Sequence, residues 1–497
     1  MITTGCHSDS PATQKPNIIF FMADDLGYGE IGVQGQQKIH TPHIDALAKK
    51  GMRFTQHYSG APVCAPARCI LLTGLHAGHA YIRGNDEWRE RGDVWDYAKA
   101  AHDASLEGQR PIPAHVVTLA EVLQDADYTT GMFGKWGLGA PGTEGDPVYQ
   151  GFDYFYGYNC QRQAHNLYPP FLWDNLQKDT LDNELIAPRT KLDEGADAQD
   201  PASYARFTQR DYAPEKIHDR ALSFLDAHSD EPFFLYYPSP LPHLPLQAPT
   251  TYVNEYRDQL GNEEVYIGDK GYFPTPYPRA TYAAMISYLD RQLGELVQKL
   301  KDKGVYDNTI IFFTSDNGPT YTGGVDFDYF DSSTPFSNGY GRTKGFVYEG
   351  GIRVPMIVSW PGHIDEGSTS GHISAFYDIM PTIIDLTAIP ADLKTDGISF
   401  VPALLGHDQE QHDFLYWEFP SYQGQQAVRM GDWKGIRKNI FKDSMDIELY
   451  NLKDDILEQH DIADQNKEIV QQIQDIMTSQ HTPSAVDRFK IAQLGDQ

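Results

Sequence analysis

Three well-separated stretches of this chain share one design, an apolar run of strand length that ends abruptly in polar groups. Asn17-Ile18-Ile19-Phe20-Phe21-Met22-Ala23 runs into Asp24-Asp25. Tyr128-Thr129-Thr130-Gly131-Met132-Phe133 runs into Gly134-Lys135, and Thr309-Ile310-Ile311-Phe312-Phe313-Thr314 into Ser315-Asp316-Asn317. Continuous apolar runs suit strands buried on both faces, the condition of a parallel sheet covered by helices. Parallel strands bring their carboxyl ends to one edge, where open α/β sheets bind ligands. The expected fold is therefore α/β, a large mixed and mostly parallel sheet flanked by helices. A fourth run, Phe233-Phe234-Leu235-Tyr236-Tyr237, leads to His243, held between prolines.

Two adjacent carboxylates at the end of a buried strand are costly unless positive charge meets them. A turn cap explains one of Asp24 and Asp25 more readily than both. Taken together, Asp24, Asp25, Asp316 and Asn317 make an all-oxygen donor set, which suits a hard cation, Ca²⁺ before Mg²⁺. A zinc site is expected to include His or Cys. Alone, Lys135 would be a solvated lysine and His243 a structural histidine; their weight comes from the company they keep.

The stretch Gly60-Ala61-Pro62-Val63-Cys64-Ala65-Pro66-Ala67-Arg68-Cys69-Ile70-Leu71-Leu72-Thr73-Gly74 opens as a small-residue loop and becomes an apolar helix. Proline is tolerated in the first helical turn, which puts Cys64 at or just before the helix N-terminus. Free backbone N–H groups there favour an anion, and Arg68 adds a permanent positive charge one turn in. A lone cysteine is more often a packed one. Cys-x-Pro-x-Arg, however, arises by chance in a four-cysteine chain on the order of one time in a hundred.

At 497 residues the chain has room for one large core and a subdomain. The boundaries read as a leader over 1–15, a main unit over 16–405 and a smaller unit over 406–497. In the last of these, short alternating runs such as Leu415–Phe419 and Ala427–Met430 predict an antiparallel sheet, closed by a helix near 467–478. Net charge is −29, and a nucleic-acid binder would show a basic patch, so that class is excluded. Cys6, Cys64, Cys69 and Cys160 are too few for a disulfide framework. No apolar stretch is long enough to span a bilayer. Thr4-Gly5-Cys6 loosely resembles the end of a lipoprotein signal, which would make Cys6 a lipid anchor, but the preceding apolar region is missing.

The region near 140–230 is rich in Pro, Asn, Gln, Tyr and Asp and shows little periodicity, as expected of a long irregular insertion that builds a binding surface. Within it, Gln161, Arg162 and His165 follow a Tyr/Phe cluster and are candidate substrate-binding residues. Aromatics mixed with amide and guanidinium groups suit sugar rings, although ordinary loops carry the same mix.

Cys64-Ala65-Pro66-Ala67-Arg68, continuing Leu71-Leu72-Thr73-Gly74, resembles the signature of the formylglycine-dependent sulfatases of the alkaline phosphatase-like superfamily. Ala23-Asp24-Asp25-Leu26-Gly27-Tyr28-Gly29 and Thr314-Ser315-Asp316-Asn317-Gly318 are similar to that family's calcium segments. Arg342-Thr343-Lys344-Gly345 with Tyr348-Glu349-Gly350-Gly351-Ile352-Arg353-Val354-Pro355 is also characteristic. The likeness covers Asn17 to about Asp385. It implies that a maturation enzyme oxidises Cys64 to formylglycine, whose hydrate attacks sulfur, and that Arg68, Lys135, His243 and Lys344 are catalytic. It further implies a sulfated oligosaccharide or polysaccharide as substrate, with a sulfated galactose or N-acetylgalactosamine unit the expected sugar, and a periplasmic or cell-surface location. There are two departures. Ala67 stands where many members have Ser, and Gly137 where the family reads Gly-Lys-Trp-His-Leu-Gly, so His165 is the candidate replacement for that histidine. The rival readings are a phosphodiester or phosphonate monoester hydrolase and a sulfated-glycan-binding protein that has lost catalysis.

Overall fold

The computed structural model describes residues 15–391 and 393–497; the leader up to residue 14, with Cys6, lies outside the described residues. Ten strands form the large sheet: β1 (Asn17–Ala23), β2 (Met52–Tyr58), β3 (Thr129–Lys135), β4 (Tyr154–Tyr158), β5 (Phe171–Asp174), β6 (Gln177–Thr180), β7 (Phe233–Pro238), β8 (Thr309–Ser315), β9 (Met356–Ser359) and β10 (Ser368–Ala375). Their order is β10-β2-β9-β8-β1-β7-β3-β4-β5-β6. The central block β8-β1-β7-β3-β4 is parallel throughout, whereas β9 and β5 run against their neighbours. A separate antiparallel sheet follows, from β11 (Leu415–Phe419), β12 (Gln425–Met430), β13 (Trp433–Lys438) and β14 (Glu448–Asn451).

Strand β1 shows why the centre of the sheet reads as unbroken apolar sequence. Ile18, Phe20 and Met22 enter one core, with the helix Cys64–Thr73, while Ile19, Phe21 and Ala23 enter the other, with the long helix Pro278–Asp302. Every residue of the strand is buried. Side chains alternate across a strand, so a sheet covered on both faces needs apolar residues at every position.

The strand ends are tied to one another by the backbone. Asp24 N–H donates to Leu241 O at 2.9 Å, Ser239 N–H to Met22 O at 2.8 Å and Asp316 N–H to Ala23 O at 3.0 Å. Those bonds hold Asp24, His243 and Asp316 on the same edge.

The region expected to be irregular between 140 and 230 holds three strands, β4 to β6, and the helix Ala213–His228. Sequence patterning also missed β2, β10 and the helix Thr250–Leu260. The missed strands sit toward the sheet margins, where half-exposed positions carry polar residues; Ser368-Thr369-Ser370-Gly371-His372 has no apolar alternation to read. Among the described residues Cys64, Cys69 and Cys160 are free thiols, and no helix is long and apolar enough to cross a membrane.

Candidate active site

Cys64 is the first residue of the helix Cys64–Thr73, with Val63 as its cap and Gly74 closing it in the left-handed region at φ +68°. Asn85 Oδ1 accepts from Ala65 N–H at 3.1 Å and so satisfies one of the free donors of that first turn. The Cys64 thiol donates to Asp24 Oδ1 at 3.2 Å. Lys135 Nζ lies 3.5 Å from Sγ and Lys344 Nζ 3.9 Å.

Around this sulfur three carboxylates meet three cations. Lys135 donates to Asp24, and Lys344 donates to Asp25 Oδ2 at 2.6 Å. Arg68 grips Asp316 Oδ2 through two nitrogens, at 2.9 and 3.3 Å, and comes within 3.4 Å of Asp24. It also donates to the Lys135 carbonyl, which ties the nucleophile helix to the end of β3. Asp25 turns the chain at φ +66°, and its N–H donates to Asp316 Oδ1 at 3.1 Å.

These contacts pull the carboxyl groups in different directions. Burial pushes the Asp24 carboxyl up, but Lys135, with His243 and Arg68 behind it, outweighs that and holds it far below the usual range. Asp316 is pushed up to about 7 by burial and then by the Asp24 charge. Burial also raises Asp25, only partly offset by Lys344. The sequence expectation that the helix N-terminus and Arg68 would favour an anion at Cys64 does not hold for the thiol. Burial, then Asp24 and Asp316, push it well above its ordinary value, and Lys135 and Lys344 only partly offset them.

The four oxygen-bearing residues converge as a donor set for a hard cation. Asn317 donates to Asp25 Oδ1 at 2.8 Å, which leaves its own Oδ1 buried without a hydrogen bond. An orphaned oxygen beside two carboxylates that burial has raised is where added positive charge would be most stabilising. One ligand atom each from Asp24, Asp25, Cys64 and His243 also lie within 4.8 Å of one another.

His243 Nδ1 faces the Leu244 carbonyl at 2.6 Å, so that nitrogen carries the proton and Nε2 points to Asp25 Oδ2, 3.7 Å away. The His165 ring stacks on it, with centroids 5.2 Å apart and planes within 10°. Burial lowers both imidazoles well below their ordinary value; Lys344 and Lys135 add to this at His243, and His243 and Lys135 at His165. Sequence reasoning missed Tyr272. Its ring stands edge-on to both histidines, at 5.3 and 6.1 Å, and its backbone is held at φ +62°. The signal available was weak, a tyrosine flanked by Gly271 in a loop with no periodicity.

The other two candidates of the β4 loop part company. Gln161 lies against Gly137, where an added Cβ would come 2.5 Å from Gln161 Cγ and Nε2. Its amide thus fills the space beside Gly137. Arg162 faces Glu87 Oε2 at 3.7 Å and the Trp95 ring at 5.9 Å, and its guanidinium nitrogens are buried without a hydrogen bond. Gly137 is at φ +94°, a conformation L side chains rarely adopt. Gly137→His is therefore expected to destabilise the protein by about 1–3 kcal/mol in denaturant melts. Adding Gln161→Ala should return only the steric part, and a single variant as stable as the parent would contradict this geometry.

A family model described as Sulfatase matches residues 16–389, and one described as N-sulphoglucosamine sulphohydrolase, C-terminal, matches 340–483. The chain belongs to the sulfatase family. Arylsulfatase A of Homo sapiens is 32% identical over 440 residues, which cover 85% of this sulfatase and 74% of that one. N-acetylgalactosamine-6-sulfatase of Canis lupus familiaris is 29% identical over 433 residues, with 85% and 72% covered. Among solved structures, Ps i-CgsB in complex with k-i-k-neocarrahexaose superimposes with a TM-score of 0.72 at 27% identity, covering 94% of this sulfatase and 92% of that chain. The enzyme is thus a sulfuric ester hydrolase with the mixed α/β sheet and the smaller antiparallel sheet anticipated from its sequence.

Proposed function

We propose that this sulfatase removes sulfate from a sulfated carbohydrate, with a sulfated galactose or N-acetylgalactosamine unit as the preferred sugar. The observation that carries this reading is the convergence of Lys135 and Lys344 on residue 64 at a helix N-terminus. A sulfate ester repels nucleophiles and its sugar alkoxide leaves poorly, so a site must offset charge on the transferring group and protonate the leaving oxygen. The sugar rests on the relatives: one named for N-acetylgalactosamine 6-sulfate and one crystallised with a neocarrahexaose.

Residue 64 is read as formylglycine. Its hydrated aldehyde supplies an oxygen nucleophile at the helix N-terminus, between Lys135 and Lys344. Asp24, Asp25, Asp316 and Asn317 would hold Ca²⁺, which would add positive charge where the sulfate oxygens sit. Lys135 and Lys344 flank that place and offset its charge from two sides. Arg68 acts one step back, by fixing Asp24 and Asp316. His243 presents Nε2 to the site and is assigned the leaving sugar oxygen. To donate to it as the S–O bond breaks, Nε2 must first take up a proton, which the negative charge of bound sulfate would favour against the lowering by burial, Lys344 and Lys135. His165, stacked on it, is assigned the role of the histidine missing at Gly137.

The test is sulfate release from a panel of saccharides that differ only in sugar and sulfate position, with and without chelation of divalent ions. Release from a galactose or N-acetylgalactosamine member, lost on chelation, is the expected result. His165→Ala should lower kcat on that member by about 10²–10⁴-fold; near-wild-type turnover would exclude the role given to His165. Faster turnover of a phosphodiester than of any sulfate would replace the reading with phosphoester hydrolysis.

A further inference from the structure

Lys344 is followed by Gly345, and a Cβ placed there would lie 3.0 Å from the Tyr422 ring. From that contact a line of aromatic rings leads away from the catalytic centre. Tyr422 meets Phe346 at 5.3 Å, Phe346 meets Tyr340 at 5.2 Å, and Tyr340 meets Tyr321 at 5.2 Å. The line joins the segment that carries Lys344 to the turn between β11 and β12 of the smaller sheet. Tyr340 is 73% exposed and Tyr422 46%.

The plainest account is that these rings pack the smaller sheet against the larger unit. Phe419, fully buried and stacked under Tyr422 at 6.0 Å, already does that. Packing does not explain why Tyr340 leaves most of its ring in water. The backbone is set by the hairpin itself: Tyr422 and Gln423, at φ +48° and +74°, are the central pair of the turn closed by Gly424 N–H donating to Ser421 O at 3.0 Å. That turn holds the Tyr422 ring against Gly345.

We propose that Tyr422, Phe346 and Tyr340 form a platform for the sugar unit next to the sulfated one, so that the enzyme prefers an oligosaccharide to a single sulfated sugar. This rests on the reading that the substrate is a sulfated glycan. Aromatic faces accept the C–H faces of pyranose rings, and phenol hydroxyls serve the sugar hydroxyls around them. The platform adjoins the residue after Lys344, which places it beside the segment that carries one of the two lysines facing residue 64.

The experiment compares wild type, Tyr340→Ala and Tyr422→Gly on three substrates. They are a small aryl sulfate, the monosaccharide sulfate hydrolysed in the panel, and the hexasaccharide carrying the same sulfate. Glycine suits the backbone at 422, so its variant should fold as well as the parent. Each variant is expected to lose about tenfold in kcat/KM on the hexasaccharide, mainly through KM, and less than about twofold on the two small substrates. Equal losses on all three would mark a structural role and overturn the proposal. So would no loss on the hexasaccharide, or a wild type indifferent to chain length. Turnover of the aryl sulfate alone would instead remove the glycan reading, and the platform with it.

Discussion

Cys64→Ala is expected to lower sulfate ester turnover by about 10⁴-fold or more while leaving the fold intact. Removing the nucleophile of a covalent mechanism forfeits nearly all of the chemical step and leaves only what binding and electrostatics supply. The structural cost is small, since the side chain is a small one whose only hydrogen bond as donor goes to Asp24. Burial of the lost sulfur accounts for about 1 kcal/mol. The check pairs turnover of a small aryl sulfate with a denaturant melt, and mass spectrometry identifies residue 64 in the parent. A variant that keeps a tenth of the activity would show that another group attacks sulfur. A parent still carrying a thiol at 64 after maturation, yet fully active, would dismiss the formylglycine reading, because the activity would then need no aldehyde.

Lys434→Met is expected to destabilise the protein by about 3–5 kcal/mol, the cost of leaving buried charge without its partner. Lys434 Nζ on β13 bridges Glu349 Oε1 at 2.8 Å and Glu458 Oε1 at 2.9 Å, and all three side chains have no exposure. Glu349 also accepts from Tyr58 at 2.8 Å and pairs with Arg353 at 3.0 Å, while its own N–H donates to Glu458 Oε2 at 2.8 Å. One lysine thus joins the smaller sheet to the segment that carries Lys344.

The pH dependence of this cluster has two opposed parts. Burial pushes Glu349 up, but Lys434, then Arg353, bring it down to about 2, so its contribution is present above 4.5 and lost as pH falls through about 2. Burial holds Glu458 at about 7 against Lys434. Its contribution is therefore full below 4.5 and lost as pH rises through about 7. Without Lys434 both carboxyls should bind protons more readily. The stability gap between variant and parent should then narrow as pH falls from 8 to 5 in matched urea melts. A gap that stays constant, or a variant as stable as the parent at pH 8, would show that the lysine is not what compensates these charges.

The strand ends were legible because covalent adjacency fixes them. An apolar run that must be buried on both faces places Asp24-Asp25, Lys135 and Asp316-Asn317 wherever its carboxyl end falls, and parallel pairing gathers those ends. The cap at Cys64 was legible for a similar local reason, since Pro66 fits only the first turn of a helix. The sign of the pKa shift at Cys64 was not, because it depends on how deeply the thiol is buried and on Asp24 and Asp316 being brought to it from other strands.

The chain's own residues therefore determined the sheet, its reactive edge and the chemical types gathered there. Tertiary structure alone decided which loop side chains joined them. It stacked His165 on His243, laid Gln161 over Gly137, brought Tyr272 edge-on to the histidines and turned Arg162 to Glu87. These contacts link residues tens to hundreds of positions apart through loops with no periodic burial. Local patterning reports only which face of an element is buried, whereas the path of a loop is set by the closure of the whole chain around it.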